Sequence, residues 1–360
     1  MLIGIDASKA VKQFKTGTET YSIELIKALS KIDSKNQYLL YAPTPIDKKL
    51  PNLKPNFHAK ILPFSKFWTQ IRFSWEMLLH KPDILFIPAH TLPLFFPKKS
   101  VITIHDLGFK HYPELYPPAD LLYHNWAANH SIKRGFHILT DSEFTKKDIL
   151  ENYVIDPSKI SVVWLGYDVS LFRPSQNKSS NKPYIFYVGR LEEKKNIIGM
   201  IKAYAILRQE KKIKHQFILA GRPGYGYEKI KAEINALPKD IQKDIVELGY
   251  INQEEYVKYL KNADILFFCT FFEGFGLPLI EAMASGIPVV ASNTTCIPEI
   301  CGKAAQLANP KNPFEMAATL SKVINDEGLK RSLISKGIVR ASLFSWEKTA
   351  QKTLTILQNL

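Results

Sequence analysis

The sequence predicts an α/β protein of two domains, each a doubly wound parallel sheet. Short runs rich in β-branched and aromatic residues alternate with runs of helical period, a pattern typical of βαβ units. The alternation stops once, at the polar, proline-bracketed residues 171–183, and then resumes. At 360 residues the chain also exceeds the size that one hydrophobic core usually supports.

The first predicted domain comprises residues 1–170. Apolar runs bounded by turn residues predict strands at Leu2–Asp6, Gln37–Tyr41, Ala59–Leu62, Asp83–Ile87, Val101–His105, His137–Thr140 and Ile160–Trp164. Runs with apolar residues at every third or fourth position predict helices at Glu19–Leu29, Lys66–Leu79, Pro118–Ile132 and Glu143–Asn152.

Apolar side chains in one of these helical runs share a single face. They are Phe64, Phe67, Trp68, Ile71, Trp75, Leu78 and Leu79. We interpret this face as core packing of the first domain. The neighbouring Lys66 and Arg72 leave a second interpretation open, in which the face enters a membrane surface.

The second predicted domain comprises residues 184–343 and follows a linker at residues 171–183. Its strands are predicted at Tyr184–Val188, His215–Ala220, Asp244–Leu248, Asp264–Thr270 and Pro288–Ala291. Its helices are predicted at Asn196–Arg208, Tyr227–Ala236, Glu254–Lys261, Leu277–Ser285 and Phe314–Asn325. Residues 344–360 read as one more helix.

The chain is basic, with 48 Lys and Arg against 34 Asp and Glu and a net charge of +14. No zinc-finger spacing, RNA-binding motif or basic-region helix accompanies this charge, so we expect no nucleic-acid partner. Attraction to diphosphate substrates or to an anionic lipid surface fits better. A lysine-rich proteome would produce the same excess.

The three cysteines indicate a reducing compartment. Cys269, Cys296 and Cys301 lie in apolar runs without Cys-x-x-Cys spacing, which is typical of structural thiols in a cytoplasmic protein. The sequence opens directly on a predicted strand, and no apolar run reaches the roughly 20 residues of a membrane-spanning helix. We therefore expect neither a signal peptide nor a transmembrane segment.

Two elements of the second domain place charged residues beside glycines at predicted strand ends. One runs from Gly189 to Asn196 and the other from Glu273 to Glu281. A strand-to-helix turn exposes N–H groups that have no partner within the helix, and the helix dipole favours an anion there. Gly274 and Gly276 let the backbone approach such an anion closely.

The charged residues of these elements suit a diphosphate joined to a polyhydroxylated ring. Arg190 and Lys195 would supply fixed cations, and Glu281 would accept hydrogen bonds from vicinal hydroxyls. The chain contains no Asp-x-Asp, the carboxylate pair with which many transferases hold a diphosphate through a divalent metal. We therefore expect a site that uses no metal.

The two elements are followed by the run Ile287–Ser292 and then by Pro298, Glu299 and Gly302. The order of these motifs is typical of one enzyme family. In them the chain resembles the retaining glycosyltransferases of family 4, essentially from end to end. The resemblance implies the GT-B architecture, in which two Rossmann-like domains face each other across a cleft. It implies that the C-terminal helix, residues 344–360, crosses back to the N-terminal domain. It also implies a nucleotide-diphospho-sugar as co-substrate and no other cofactor.

The resemblance assigns roles in the second domain. Arg190 and Lys195 would neutralise the departing diphosphate, while Glu273 would contact the donor sugar and Glu281 the ribose hydroxyls. The full donor-binding set that it implies is Gly17, Gly221, Tyr250, Ile251, Gly274, Phe275, Gly276, Leu277 and Glu281. Backbone N–H groups around Phe275 to Leu277 would hold the distal phosphate, and Gly221, Tyr250 and Ile251 would flank the base.

The resemblance also assigns roles in the first domain. His105, at the end of a predicted strand, would contact the donor sugar near the reaction centre, with Asp106 bracing the loop or the histidine. Asp6 and His90, also at strand ends, are candidates for the acceptor side together with Asp106. The loop containing Gly17 keeps a phosphate-side contact, but Glu19 and Thr20 replace a glycine and an arginine that are usual in the family.

The implied reaction moves a hexosyl group to a hydroxyl with retention of anomeric configuration. The segments around His105 and Phe344 resemble bacterial mannosyltransferases of polysaccharide assembly, so GDP-mannose is the first expected donor, with UDP-glucose and a deoxyhexose donor open. The expected acceptor is a glycan or a lipid-diphosphate-linked oligosaccharide, with peripheral contact at the inner membrane face. A UDP-N-acetylglucosamine 2-epimerase and a non-catalytic nucleotide-sugar-binding scaffold remain alternatives.

Overall fold

The structure, a computed structural model, describes residues 1–89, 91–175, 182–210 and 212–360. The chain divides into two compact units. Unit 1 comprises Met1–Lys110, Pro118–Gly166 and Ser345–Leu360, and unit 2 comprises His111–Pro117 and Tyr167–Phe344. The predicted class, α/β with two parallel sheets, is confirmed. His90 and residues 176–181 of the predicted linker lie outside the described residues.

Unit 1 is built on a seven-stranded parallel sheet in the order β3-β2-β1-β4-β5-β6-β7. The strands are β1 (Leu2–Asp6), β2 (Gln37–Ala42), β3 (Phe57–Ile61), β4 (Ile84–Ile87), β5 (Ser100–Ile104), β6 (His137–Thr140) and β7 (Ile160–Val162). The first helices are α1 (Gly17–Ile32), α2 (Ser74–Leu79), α3 (Gly108–His111), α4 (Pro118–Arg134) and α5 (Glu143–Asn152). Strands β4 and β5 are buried along their whole length, as expected for parallel strands covered on both faces.

Unit 2 is built on a six-stranded parallel sheet in the order β10-β9-β8-β11-β12-β13. The strands are β8 (Tyr184–Val188), β9 (Gln216–Ala220), β10 (Ile245–Gly249), β11 (Ile265–Phe268), β12 (Val289–Ser292) and β13 (Ala305–Ala308). The helices are α6 (Ile197–Gln209), α7 (Tyr227–Ala236), α8 (Lys239–Gln242), α9 (Gln253–Asn262), α10 (Leu277–Ala284), α11 (Ile297–Cys301), α12 (Pro313–Asn325) and α13 (Glu327–Ala341). The strand order reverses between β8 and β11.

The last helix, α14 (Trp346–Gln358), belongs to unit 1 and packs on α1. The Trp346 and Tyr21 ring centroids are 6.2 Å apart, and the Thr349 hydroxyl donates to the Trp164 carbonyl at 2.8 Å. A Cβ at Gly166 would lie 2.0 Å from the Trp346 backbone nitrogen. Glycine is required at position 166 because the start of α14 approaches the backbone so closely.

The segment predicted as the helix Lys66–Leu79 is not one continuous α-helix. It contains a π-helical turn at Thr69–Phe73 and then the short helix α2. Phe67, just before the turn, has a left-handed φ of 53°. A π turn contains an extra residue, so the side chains after it rotate away from the face that a regular helix would present.

The prediction that this segment packs its apolar face in the core is wrong. Of the seven side chains assigned to that face, Trp68 is buried and the other six are exposed. The π turn instead directs Phe73 and Met77 into the core, where both are fully buried. The segment between residues 64 and 79 therefore presents an apolar surface on unit 1.

Four elements of unit 2, β13, α8, α11 and α13, are not predicted by the sequence pattern. The buried face of α13 consists of Leu333, Gly337 and Ala341, two of which are small. Gly337 allows close packing, because a Cβ there would lie 3.3 Å from the Cβ of Met283 in α10. Elsewhere the predicted elements are present, with ends displaced by a few residues. Within the described part of the chain, no helix has the length and apolarity needed to cross a membrane.

Candidate active site

The candidate site in unit 2 lies at the carboxyl ends of β8 and β11. These strands are neighbours, and their following loops leave the sheet in opposite directions because the strand order reverses between them. The loop after β8 carries Arg190 and Lys195, and the loop after β11 carries Glu273 and leads into α10. Ligands of open α/β sheets bind at such a switch point.

Asn196 fixes the loop after β8 against the end of β11. It adopts the left-handed conformation, with φ 56° and ψ 35°, at the start of α6. Its buried side-chain amide donates to the carbonyl of Cys269 at 2.8 Å and to that of Pro310 at 2.7 Å. Asparagine tolerates this conformation better than most residues. The neighbouring Lys195 is therefore held in place by the backbone.

Lys195 and Glu273 form an ion pair at this switch point. The Lys195 Nζ lies 2.7 Å from the Glu273 Oε1, and the side chains are 21% and 12% exposed. The Cys296 thiol donates to the Glu273 carbonyl at 3.2 Å, which braces the second loop. Solvent screens so enclosed a pair less than it screens a surface pair. The cation is therefore positioned before any ligand arrives.

Arg190 has a different environment. Its half-exposed side chain places Nη1 3.6 Å from the Oε2 of Glu192. The other carboxylate oxygen of Glu192, Oε1, lies 3.4 Å from the Lys194 Nζ. The structure thus brings two of the predicted catalytic residues of unit 2, Lys195 and Glu273, into contact and places Arg190 beside Glu192.

The start of α10 has the backbone geometry expected of an anion-binding turn. Gly276 precedes the helix with φ 87° and ψ 61°, a left-handed conformation that favours glycine. Phe275 and Leu277 are buried on either side, and the Phe275 ring meets the Phe344 ring edge-on at 5.8 Å between centroids. The first N–H groups of α10 and its dipole favour an anion at this position.

Glu281 is buried on α10 and accepts a hydrogen bond from a residue that the sequence did not single out. The Tyr256 hydroxyl of α9 donates to the Glu281 Oε2 at 2.5 Å. Burial raises the pKa of Glu281 to about 7, opposed by the Tyr256 hydrogen bond and assisted by the charge of Asp168. The buried carboxyl therefore keeps its proton to a higher pH than an exposed glutamate does.

The residues predicted to flank a base lie at the carboxyl ends of β9 and β10. Tyr250 is exposed and Ile251 half-buried, directly after Gly249. A Cβ at Gly221 would lie 1.8 Å from the Gly189 carbonyl oxygen. Close packing of two loops therefore explains the glycine at 221 without any base contact.

His105 in unit 1 is buried and engaged at both ring nitrogens. Its Nδ1 lies 2.5 Å from Asp141 Oδ2 and its Nε2 3.2 Å from the Pro88 carbonyl oxygen. A carbonyl only accepts, so Nε2 carries a proton, and Asp141 shares the second proton with Nδ1. Burial acts to lower the pKa of His105, but the charge and hydrogen bond of Asp141 outweigh it and raise the pKa. The Asp141 pair therefore favours the protonated ring, while burial also raises the pKa of Asp141.

The other predicted residues of unit 1 have mainly local partners. Asp6 is buried, accepts from the Ser8 N–H at 2.8 Å, and has its pKa raised by burial. Asp106 accepts from the Gly108 N–H at 2.9 Å, in keeping with a bracing role. Gly17 opens α1 and is exposed. The α1 start already carries its own carboxylate, because Glu19 and Thr16 form a capping box.

The chain matches two protein-family models that together run from residue 15 to residue 340. The model described as Glycosyltransferase Family 4 matches residues 15–171, and the model described as Glycosyl transferases group 1 matches residues 168–340. The chain belongs to glycosyltransferase family 4. The predicted family and the prediction of a glycosyl-transferring enzyme are confirmed.

Curated relatives of this glycosyltransferase include several mannosyltransferases. It is 26% identical to O-antigen chain mannosyltransferase B of Escherichia coli over 380 residues, which covers 97% of this chain and 98% of the relative. It is 31% identical to the MMP alpha-(1->4)-mannosyltransferase of Mycolicibacterium hassiacum over 61% of this chain and 53% of the relative.

Solved structures share the fold of this glycosyltransferase. Sucrose-phosphate synthase from Thermosynechococcus elongatus superposes with a TM-score of 0.79 at 18% identity, covering 99% of this chain and 98% of that one. WaaG, a glycosyltransferase involved in lipopolysaccharide biosynthesis, superposes with a TM-score of 0.77 at 12% identity, covering 99% of each chain. The predicted GT-B fold class is confirmed.

Two side chains of this glycosyltransferase that contact predicted site residues were missed from sequence. Asp141 follows β6 directly, and a carboxylate at a strand end was a signal that could have been used. Tyr256 lies on α9, where a tyrosine among apolar and charged residues carries no such signal. Both were missed because their partners, His105 and Glu281, are distant in sequence.

Replacing Glu281 by glutamine should stabilise this glycosyltransferase at alkaline pH. The folded pKa of about 7 exceeds the ordinary value of 4.5, so the folded state binds more protons between these values and loses stability as pH rises through them. Glutamine does not titrate and therefore removes this loss. The gain in the free energy of unfolding should reach about 3 kcal/mol above pH 7 and be small near pH 4.5. The melting temperatures of wild type and Glu281→Gln, measured near pH 4.5 and above pH 7, give the difference in stability.

The exposed Glu254 of α9 provides the control for this prediction. Glu254→Gln should give no gain in melting temperature that grows with pH. An equal gain in both variants, or none in Glu281→Gln, would show that burial does not disfavour the Glu281 carboxylate. The stabilised variant should also bind donor nucleotide more weakly.

Proposed function

We propose that this glycosyltransferase moves a hexosyl group from a nucleotide-diphospho-sugar to a hydroxyl acceptor. The first candidate for this group is mannosyl. The observation that carries the proposal is the convergence of Lys195, Glu273 and the start of α10 at the β8/β11 switch point. Mannose is supported by the names of relatives, among them O-antigen chain mannosyltransferase B and the O-antigen chain mannosyltransferase RfbU of Salmonella typhimurium.

The nucleotide-sugar is proposed to bind unit 2 through its diphosphate and ribose. Lys195, Arg190 and the start of α10 supply the positive potential for the diphosphate, and Glu281 accepts from the ribose hydroxyls. HepE of Anabaena, whose fold this chain shares with a TM-score of 0.78, is described in complex with UDP-glucose. That complex supports a nucleotide-sugar as the ligand class. GDP-mannose is still the proposed donor, because the relatives named above are mannosyltransferases.

The diphosphate is proposed to be stabilised without a metal ion. Among the described residues, no group of three or more His, Cys, Asp or Glu side chains is placed to hold one. Lys195 is already positioned by its pairing with Glu273, so little reorganisation is required as charge develops on the leaving group. Preorganised cations of this kind act where a metal would otherwise be needed.

Transfer is proposed to retain the anomeric configuration. The bond between the anomeric carbon and the β-phosphate oxygen breaks, and a bond to the acceptor oxygen forms on the same face of the sugar. The acceptor proton passes to the departing phosphate oxygen, which releases the nucleoside diphosphate. The buried His105 ring is proposed to act at the sugar, and Asp141 orients the ring and favours its protonated form.

A transfer assay tests this proposal directly. The protein is incubated in EDTA with GDP-mannose, UDP-glucose or a dTDP-deoxyhexose, and octyl α-mannoside serves as the hydroxyl acceptor. We expect one donor to release its nucleoside diphosphate in equal amount with a glycosylated product, whose new linkage keeps the donor configuration by NMR. An inverted linkage or an absolute need for a divalent metal would contradict the mechanism. Sugar epimerisation, or donor binding without turnover, would contradict the activity.

A further inference from the structure

Unit 1 exposes a cluster of large apolar side chains that its core does not use. Six side chains between residues 64 and 79 are between 43% and 72% exposed: Phe64, Phe67, Ile71, Trp75, Leu78 and Leu79. Single exposed apolar residues are ordinary, but contiguous clusters mark sites of interaction with another surface.

Two further segments of unit 1 continue this cluster. Leu94 and Phe95 are exposed in the loop after β4, and Leu122, Tyr123 and Trp126 are exposed on α4. We call the three segments together, residues 63–82, 91–100 and 121–136, the apolar face. All lie in the same compact unit.

Hydrogen bonds join the three segments of the apolar face. The Leu94 N–H donates to the Ser74 Oγ at 2.8 Å, and the Gln70 amide donates to the Leu92 carbonyl at 3.1 Å. The Leu92 N–H donates to the Ser131 Oγ of α4 at 3.0 Å. The loop after β4 is thus fixed to both of its neighbours, and at the exposed side the Tyr123 hydroxyl of α4 donates to the Thr91 hydroxyl of this loop at 3.4 Å. The three segments therefore adjoin one another.

The charged residues of the apolar face are nearly all basic. Its exposed cations are Lys66, Lys81, Lys98, Lys99, Lys133 and Arg134. Its three segments contain one acidic residue, Glu76, which is buried and pairs with Lys60 and Arg72. The exposed Asp83 and Asp120 lie directly beside the segment ends. The surface therefore combines exposed aromatic and aliphatic side chains with an excess of positive charge.

This combination matches an anionic lipid surface. Apolar side chains can enter the headgroup and acyl boundary, Trp and Tyr favour that interface, and Lys and Arg meet anionic headgroups. A second copy of the chain would instead bring like charges together, which opposes association. The net charge of +14 adds a long-range attraction to an anionic membrane.

We propose that the apolar face of unit 1 docks the enzyme on an anionic membrane. The biological purpose of this docking rests on the proposed function, because a lipid-linked acceptor would be reached from the membrane surface. Docking itself involves neither donor nor acceptor, and the residues of the face are separate from Lys195, Glu273 and Glu281 of unit 2. Binding to lipid and transfer to a water-soluble acceptor can therefore be measured independently.

Vesicle co-sedimentation of the full chain tests the proposal, with phosphatidylglycerol/phosphatidylethanolamine vesicles as the probe and phosphatidylcholine vesicles for comparison. We expect the wild type to bind the anionic vesicles, and the triple variant Phe67→Ser/Trp75→Ser/Leu79→Ser to bind them at least about tenfold more weakly. The matched control Val154→Ser/Phe314→Ser/Val339→Ser, also at exposed apolar positions, should bind as the wild type does.

A second pair of variants tests the contribution of charge. Lys66→Gln/Lys98→Gln/Lys99→Gln should weaken binding to anionic vesicles, whereas Lys303→Gln/Lys311→Gln/Lys336→Gln, three exposed lysines of unit 2, should weaken it less. Equal loss in both would show that net charge alone attracts the protein. Equal binding of wild type to phosphatidylcholine would exclude a role for anionic lipid.

Two controls separate this inference from folding and from the proposed function. The apolar-face variants should keep the wild-type melting temperature and the wild-type rate of transfer to octyl α-mannoside. Unchanged vesicle binding by the apolar triple variant would overturn the proposal, as would a wild-type dimer that the triple variant dissociates in light scattering. Absence of transfer in the wild type would refute the proposed function and leave the lipid measurement intact.

Discussion

Lys195→Ala should lower kcat/KM for the donor by about two to three orders of magnitude. Lys195 is the cation that the structure holds at the β8/β11 switch point, 2.7 Å from Glu273 in a little-exposed pair. Its removal takes away the charge that would balance the leaving diphosphate. It also leaves the Glu273 carboxylate without its cation, so this carboxylate would repel the donor. Initial rates of nucleoside diphosphate release at varied donor concentration measure the loss.

The adjacent lysine provides a matched control. Lys194 pairs with Glu192 at 3.4 Å and lies 4.6 Å from the centroid of the Tyr116 ring. Lys194→Ala removes the same charge at the next position and should change kcat/KM within about fivefold, the range of a partly exposed ion pair. Equal losses in the two variants would mean that net charge, rather than the position of Lys195, determines donor use.

Asp141→Asn should lower the pKa of His105 from above its ordinary value to below it. In the wild type the charge and hydrogen bond of Asp141 overcome the burial that disfavours a cation. Asparagine keeps the shape but removes the charge, so burial decides and the neutral ring is favoured. NMR titration of the histidine ring protons measures the shift, and His105→Ala identifies the resonance.

The same variant should reduce kcat at neutral pH by about two orders of magnitude, the scale of one positioned charge in a buried site. Its rate should recover as the pH falls, because a lower pH restores the imidazolium. A purely structural role for Asp141 would give no such recovery. An unchanged His105 titration together with an unchanged rate would refute the role of the pair.

The donor-side elements of unit 2 could be predicted from sequence because their signals are local. Gly276 and Pro278 mark the start of α10 by backbone chemistry alone, and Lys195 follows a strand within a few residues. The contact between Lys195 and Glu273 could not be derived in this way. It depends on β8 and β11 being neighbours, which strand order decides and local pattern does not.

The failures have a common physical cause. Phe67 adopts a left-handed φ that aromatic residues rarely take, and the π turn after it shifts the helical register, so the periodicity pointed at the wrong face. Asp141 and Tyr256 reach their partners across the sheet and between helices. In each case tertiary packing, rather than local propensity, determines where the side chain lies.

Calorimetric titration of nucleoside diphosphates in EDTA tests the central claim, that unit 2 binds the donor diphosphate with its own cations. GDP, UDP, dTDP and ADP are titrated into the wild type, and the best ligand is then titrated into Lys195→Ala and Lys194→Ala. The account predicts one-to-one binding of one nucleotide without metal, weakened by about tenfold or more in Lys195→Ala and little changed in Lys194→Ala. Binding that requires added Mg²⁺, or that Lys195→Ala leaves unchanged, would contradict it.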